Sequence, residues 1–225
     1  MEIPIGISTG WLFAENIKKF NEQQEMINLV GSAELSITSE ERTKIYDRPV
    51  ENLDYLSYHL PTSRELISQH KKLHETHNIN TAVIHPTADE DVLEAYINSE
   101  IPVSIENMDI AKNTAQKATE VYKYIRKYNV PLTLDIQHAY EIDNTMNEAW
   151  KLIDMVDNIA ELHVSGESKK LNHELIHKSQ NKDILRSFLE EYYNSYNTPM
   201  IIEGKYTCKN DIEKEREFLI NCIQS

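Results

Sequence analysis

Cysteine is nearly missing from this chain: Cys208 and Cys222 are the only two, and no CxxC spacing occurs. A disulfide framework or a thiolate zinc knuckle cannot be built from them, and a reducing cytosol is the expected compartment. Glycine is also scarce, with 5 residues in 225. The first apolar segment closes on Thr9-Gly10, without the Gly-rich phosphate turn of an open doubly wound sheet. No run approaches the roughly 18 apolar residues of a membrane span. The start, Met1-Glu2-Ile3-Pro4-Ile5, has neither the basic residues nor the apolar stretch of a signal peptide and reads directly as a strand. Cations are in deficit, 23 against 37 acidic residues, for a net charge of −14. Non-specific nucleic-acid binding depends on neutralising phosphates, so DNA or RNA would be bound only through a local patch.

What the chain does have is 40% hydrophobic residues, enough for a sizeable core, arranged in short aliphatic runs that alternate with helical patterns. The runs are Ile3 to Ser8, Val30 to Ile37, Leu53 to His59, Thr81 to Pro86, Ile101 to Glu106, the stretch Leu132-Thr133-Leu134-Asp135-Ile136-Gln137-His138-Ala139-Tyr140, Ile159 to Val164, and Pro199 to Glu203. Helices are expected over Ala14–Leu29, within Thr38–Asp47, from an N-cap at Ser63 to about His77, and over Ala88–Asn98, Ile110–Tyr128, Asn144–Val156, Asp183–Tyr196 and Asn210–Ile223. Ser165 to Gln180 reads as a polar loop. No linker or composition break divides the chain, so residues 1–225 form one domain. Eight strand–helix units at about 28 residues each match a closed (β/α)8 TIM barrel, an α/β fold whose sites lie at the C-terminal ends of the strands.

Polar residues collect at those strand ends: Glu34, His59, His85, Glu106, Asp135, His163 and Glu203, with His138 and His173 just beyond. A lone histidine at a strand end is usually structural; a series ending in His, Glu or Asp is a ligand set for zinc, manganese or iron. One cation would suit carbonyl polarisation with flanking carboxylates moving protons, and two would suit in-line phosphoryl displacement. Other groups carry less. His70, His74 and His77 lie on one helix whose Lys71, Lys72 and Glu75 mark a solvated face. His177 is in a polar loop. Tyr192, Tyr193 and Tyr196 read as helix packing. Lys169-Lys170 are the only basic pair near the expected mouth, where they would meet a phosphate.

The pieces Ser57-Tyr58-His59, Ile84-His85-Pro86, Ile105-Glu106-Asn107, Leu134-Asp135-Ile136-Gln137-His138-Ala139, Leu162-His163-Val164 and Ile202-Glu203 resemble, in order and spacing, the xylose-isomerase-like barrel superfamily, which includes endonuclease IV and many sugar isomerases and epimerases. The resemblance to the endonuclease IV branch implies that His59, His85 and Glu106 hold one zinc. Glu106 would bridge to a second, held by Asp135, His163 and Glu203, and His138 and His173 would hold a third. That branch has an Asp two residues before the last His; here the position is Leu171, so two firmly held metals and an incomplete third site are expected. The resemblance to the epimerase branch implies one metal on Glu106, Asp135, His163 and Glu203, with the two glutamates transferring protons and His138 contacting substrate. A third branch, with multinuclear iron and peptide substrates, is similar at His163-Val164-Ser165-Gly166 and at Asn107.

The histidine count favours a metal-dependent phosphoester hydrolase of the endonuclease IV type, in which metal-activated water attacks phosphorus. A sugar or sugar-phosphate isomerase or epimerase is the alternative, and a peptide-modifying iron enzyme or an inactive metal-binding barrel stand behind it. Glu106, Glu203 and His138 are the candidate catalytic residues, and Lys169, Asn107 and Glu34 the candidate substrate contacts. The metal expected first is zinc, with manganese or iron as alternatives.

Overall fold

Residues 3–224 are described by a computed structural model. Its barrel strands are β1 (Ile5–Ser8), β2 (Ser32–Ser36), β3 (Tyr55–His59), β4 (Thr81–Ile84), β5 (Val103–Glu106), β6 (Leu132–Asp135), β7 (Ile159–Val164) and β10 (Met200–Ile202). A separate antiparallel pair, β8 (Gly166–Ser168) and β9 (Leu171–Glu174), follows β7. The eight barrel strands pair in parallel and close in the order β1-β10-β7-β6-β5-β4-β3-β2. This is a (β/α)8 barrel, as the alternation of runs predicts.

Side chains alternate across a strand, and here the alternation separates two chemistries. Ile5 and Ile7, Leu56 and Tyr58, Ala82 and Ile84, Val103 and Ile105, Leu132 and Leu134, Leu162 and Val164, and Met200 and Ile202 all join the hydrophobic core shared with the helices. The intervening residues face the lumen and are mostly small or polar: Ser32, Glu34, Ser57, Ser104, Thr133 and Glu161, all buried. Ser104 and Thr133 share a hydrogen bond of 2.7 Å. At Gly6 a Cβ would come within 2.8 Å of the Ser32 carbonyl carbon and 2.9 Å of the Ile201 side chain, so the lumen has no space for one.

The helices are α1 (Gly10–Ala14), α2 (Phe20–Ile27), α3 (Glu40–Ile45), α4 (Ile67–His77), α5 (Glu90–Ile97), α6 (Ala118–Tyr128), α7 (Ile136–Ile142), α8 (Asn147–Met155), α9 (Lys182–Tyr193) and α10 (Lys209–Ile223). Several differ from the sequence pattern. The expected helix Ala14–Leu29 is two helices, separated at Asn16, whose φ of 62° is left-handed. The helix expected from Ser63 begins at Ile67, with Leu66 as N-cap and no side-chain capping bond. The expected long helix from Ile110 begins only at Ala118: Ile110 is 65% exposed, and a loop closed by Met108 N–H to the Ala115 carbonyl precedes it. Only Leu132–Asp135 of the sixth run is strand; α7 starts at Ile136, with Asp135 as its N-cap. The expected loop Ser165–Gln180 contains the β8–β9 pair and a 3-10 turn at Ile176–Lys178. Among the described residues, no helix is long and apolar enough to cross a membrane.

Candidate metal centre

A bulge sets the register of the site. Leu132 pairs with Ile159 but Thr133 pairs with Glu161, so β7 carries one extra residue opposite β6. Such a bulge re-aims every side chain beyond it. As a result Asp135 lies level with His163, and Glu161 and His163, two apart on β7, share one face. Asp135 is placed a second time by capping. Its Oδ1 accepts the His138 backbone N–H at 2.8 Å, which places His138 one turn into α7. The Asn107 amide brackets Asp135, donating to its carbonyl at 2.9 Å and accepting from its N–H at 2.8 Å. Asn107 is thus buried and committed to holding Asp135, while its own carbonyl accepts His138 Nδ1–H at 2.8 Å.

The strand-end residues converge. Donor atoms of Glu106, Asp135, His163 and Glu203 lie within 4.8 Å of one another, and so do those of His59, His85 and Glu106. The two groups share Glu106. Its Oε2 is 2.8 Å from His85 Nε2 and 3.7 Å from His59 Nε2; its Oε1 is 3.1 Å from His163 Nδ1. The His59 and His85 Nε2 atoms are 3.1 Å apart. Glu34 belongs to this centre more closely than its strand pattern suggests: with His59 and Glu203 it forms a third group, and with Glu161 and His163 a fourth.

Glu161 has no place in the sequence-derived set, although its i, i+2 spacing from His163 on a predicted strand is a legible signal. It is fully buried, and its Oε1 accepts from His163 Nε2 at 3.2 Å; Glu34 Oε2 lies 3.2 Å from the same nitrogen. His163 therefore turns Nδ1 toward Glu106 and Glu203 and Nε2 toward Glu34 and Glu161. A ligating histidine characteristically gives its second N–H to a carboxylate, which fixes tautomer and ring orientation.

The donor set fits a divalent cation. Asp135 Oδ2 and Glu161 Oε2 are buried without a hydrogen-bond partner, while the buried Glu34 Oε2 and Glu106 Oε2 face histidine nitrogens, His163 Nε2 at 3.2 Å and His85 Nε2 at 2.8 Å. Buried carboxylate oxygens are costly unless paired or bound to metal. The titration behaviour shows the same crowding. Burial opposes ionisation of Glu106, but His85 and His163 outweigh it and hold the carboxyl well below its ordinary range. Burial likewise opposes ionisation of Glu203, and His163 brings it down to about 2. Burial disfavours charge on His59 and His138, yet the surrounding carboxylates raise each to about 9, Glu34 leading at His59 and Asp135 at His138. His163 is raised well above its usual value despite burial, chiefly by Glu203 and Glu34. Burial pushes Asp135 and Glu161 upward.

The remaining candidates sit apart. The His138 and His173 rings meet edge to face at 5.6 Å, and His138 Nε2 lies 3.6 Å from Asp135 Oδ2. Neither histidine joins a donor group of three among the described residues. Leu171 is two residues from His173 on β9 and brings no donor, and Glu174 Oε1 accepts the Leu175 N–H at 3.1 Å. Lys169 is exposed at the β8–β9 turn. His70 is buried, with both ring nitrogens in use: Nδ1 to Tyr96 Oη at 2.9 Å and Nε2 to the Ile37 carbonyl at 3.0 Å. Burial lowers it to about 4, which makes it a neutral core histidine. Tyr192 is buried and stacks with Phe188 and Tyr196.

Beside the centre is a cavity of about 350 Å³, lined in part by His59, His173 and Glu203. Trp11 forms another part of its wall; the indole N–H donates to the Glu203 carbonyl at 2.6 Å and ties α1 to the end of β10.

The chain is a closed (β/α)8 barrel with histidines and carboxylates clustered at the strand ends, and its fold is similar to solved structures of the xylose isomerase-like kind. Solved structures of that kind superpose over nearly the whole chain. A D-tagatose 3-epimerase-like protein matches with a TM-score of 0.68 at 16% identity, covering 99% of this chain and 97% of its own. A xylose isomerase domain-containing protein from Salmonella typhimurium matches at 0.65 and 13%, over 100% of both chains. The structure of SacUVDE matches at 0.53 and 15%, over 96% of this chain and 86% of its own. At these identities the likeness is one of fold. No protein-family model and no curated protein sequence matches the chain.

Proposed function

We propose that the chain is a divalent-metal-dependent enzyme that isomerises or epimerises a small hydroxylated carbonyl compound by proton transfer. The observation that carries this reading is the convergence of Glu106, Asp135, His163 and Glu203 beside a cavity of about 350 Å³, at the lower end of the size of small-ligand pockets. A cation bound by these four would polarise a substrate carbonyl and stabilise the negative charge on its oxygen. Two carboxylates held ionised near neutrality, Glu106 and Glu203, would then take a proton from the carbon beside the carbonyl and return one to the neighbouring carbon or opposite face. Asp135 would act as a fixed anchor, held by α7 capping and by Asn107. His138 keeps its Nδ1 proton on the Asn107 carbonyl, so its Nε2 is the atom free to meet substrate or metal. Trp11 would close one wall and limit water. The likeness to the epimerase-like and isomerase-domain proteins supports this reading.

The test is deuterium exchange: metal-loaded protein with a panel of ketoses and ketose phosphates in D2O. Incorporation of deuterium next to the carbonyl, lost in Glu203→Gln, is expected. No exchange on any member of the panel by fully metallated protein would refute it.

Phosphoester hydrolysis is the second reading, favoured by one observation: the His59–His85–Glu106 group shares Glu106 with the first. Two adjoining cations would suit an in-line displacement at phosphorus. Two metals per chain with cleavage of an abasic-site duplex, and no ketose exchange, would establish it instead.

A further inference from the structure

Arg42 is a cation without an anion. It lies on α3 between two glutamates and a lysine, yet Glu40 pairs with Lys44 at 2.7 Å and Glu41 with Lys18 at 3.5 Å. Among the described residues no carboxylate lies within ion-pair distance of the Arg42 guanidinium. It is held instead by neutral groups. Nη1 donates to Ser36 Oγ at 2.5 Å and to Thr38 Oγ1 at 3.2 Å, and the guanidinium carbon stands 4.6 Å from the centre of the Phe13 ring. Hydroxyl oxygens and an aromatic face orient a guanidinium without neutralising it. In a chain of net charge −14, leaving an arginine unneutralised beside a cluster of carboxylates needs a reason.

Its position supplies one. Arg42, Ser36 and Thr38 line the same cavity as His59, His173 and Glu203, and among the described residues Arg42 is the only lysine or arginine in that lining. Ser36 is the register partner of His59 on the adjacent strand, so the backbones of the two residues lie about 4.8 Å apart, one strand spacing. A short carbon skeleton placed in this cavity of about 350 Å³ would meet His59 and Glu203 of the metal centre and Arg42 together.

We propose that Arg42, with the hydroxyls of Ser36 and Thr38, is an anion subsite, and that the substrate is a small polyhydroxylated compound with a terminal phosphate or carboxylate. This rests on the isomerase reading for the chemistry at the other end of the molecule. The guanidinium fork offers paired N–H donors to two oxygens of either group, and the two hydroxyls can rotate to donate as well. The subsite also explains how an acidic protein binds an acidic substrate: the charge is met locally while the global field is unfavourable.

The test uses three matched, unreactive probes on the metal-loaded protein: ribitol phosphate, ribonate and ribitol, with binding measured by calorimetry on wild type, Arg42→Gln and Arg42→Lys. Metal content and thermal stability of each variant are checked first. At least one anion is expected to bind tenfold or more tighter than ribitol, and the one that does identifies phosphate or carboxylate. That advantage disappears in Arg42→Gln and is partly kept in Arg42→Lys, which retains charge but loses the fork. Equal binding of all three probes by wild type, or an undiminished preference in Arg42→Gln, overturns the subsite and leaves the isomerase reading standing. An Arg42-dependent preference together with no deuterium exchange on any member of the ketose panel, extended to keto-acids of the same length, keeps the subsite and removes the isomerase reading.

Discussion

Filling the centre with metal should expel protons, and the number follows from the geometry. His59 is raised to about 9 by the carboxylates around it, and His163 lies well above its ordinary value. At pH 7.5 a group with a pKa of about 9 is roughly 97% protonated. A histidine that ligates must offer a lone pair, so each must lose its proton first. If both donor groups fill, about two protons leave; if His138, also raised to about 9, takes part as well, about three. The assay is calorimetric zinc titration of metal-free protein at pH 7.5 in buffers of different ionisation enthalpy, where the slope of apparent enthalpy gives the proton count. Between pH 7 and 8, affinity should rise about a hundredfold for two released protons. Stability of the metal-free protein moves the opposite way. The folded pKa of His59 and of His138 is raised, so their contribution is complete below about 6.5 and is lost as pH rises through about 9. A proton count near zero, with zinc bound, would refute the reasoning, because the histidines would then be neutral before metal arrives or would not be ligands.

Three further outcomes are expected. Glu161→Gln should keep the fold but lower metal affinity ten- to a hundredfold, measured by chelator competition, because His163 loses the carboxylate behind its Nε2–H; unchanged affinity would remove Glu161 from the centre. Leu171→Asp should raise metal content by up to one per chain by elemental analysis, since positions 171 and 173 share one face of β9 and His173 already faces His138; three tightly held metals in the unaltered protein would contradict the incomplete third site. His70→Leu should cost about 2 kcal/mol in chemical denaturation, by removing the two buried hydrogen bonds that His70 makes to the Tyr96 hydroxyl and the Ile37 carbonyl, with metal content unchanged; a lost metal would return His70 to the ligand set.

The fold was legible because it depends on periodicity. Each barrel strand shows an aliphatic set at every second position, and that pattern survives errors of a residue or two at strand ends. The strand-end site was legible for the same reason: His59, Glu106 and Asp135 are the last residues of their strands, and Glu203 directly follows one. What was missed depends on contacts between distant segments. Arg42 sits on a six-residue helix and reads as one more charge on a polar face; only the fold shows that Glu40 and Glu41 are taken by other cations. Trp11 carries no sequence signal of its own and gains a role only once α1 is seen over the cavity. Residues 110–117 read as the start of the helix expected over Ile110–Tyr128, yet they form a loop, and Ala115, at φ 56°, breaks the backbone where no Gly or Pro marks the turn. The Ala160 bulge leaves no compositional trace, yet it is what brings Asp135 level with His163.

The polar lumen is where these threads meet. A barrel of this kind is ordinarily filled by layers of branched aliphatic side chains. Here serine, threonine and glutamate occupy much of that space, and the lumen-facing carboxylates Glu34 and Glu161 are fully buried, with Glu161 Oε2 lacking a hydrogen-bond partner. Burying such groups works against folding, so an enzyme would keep them only for what they do to their neighbours. The neighbour is His163, which has both ring nitrogens against carboxylates: Nδ1 to the candidate metal groups and Nε2 to the buried pair. A negative lumen below the imidazole holds its Nε2–H and strengthens Nδ1 as a donor, so the cost in core packing is offset by a centre that binds a cation more firmly. On this reasoning, replacing Glu34 and Glu161 together by apolar residues should stabilise the metal-free barrel and weaken the metal-loaded one. That opposite movement distinguishes a lumen built for the metal centre from one that is merely loosely packed.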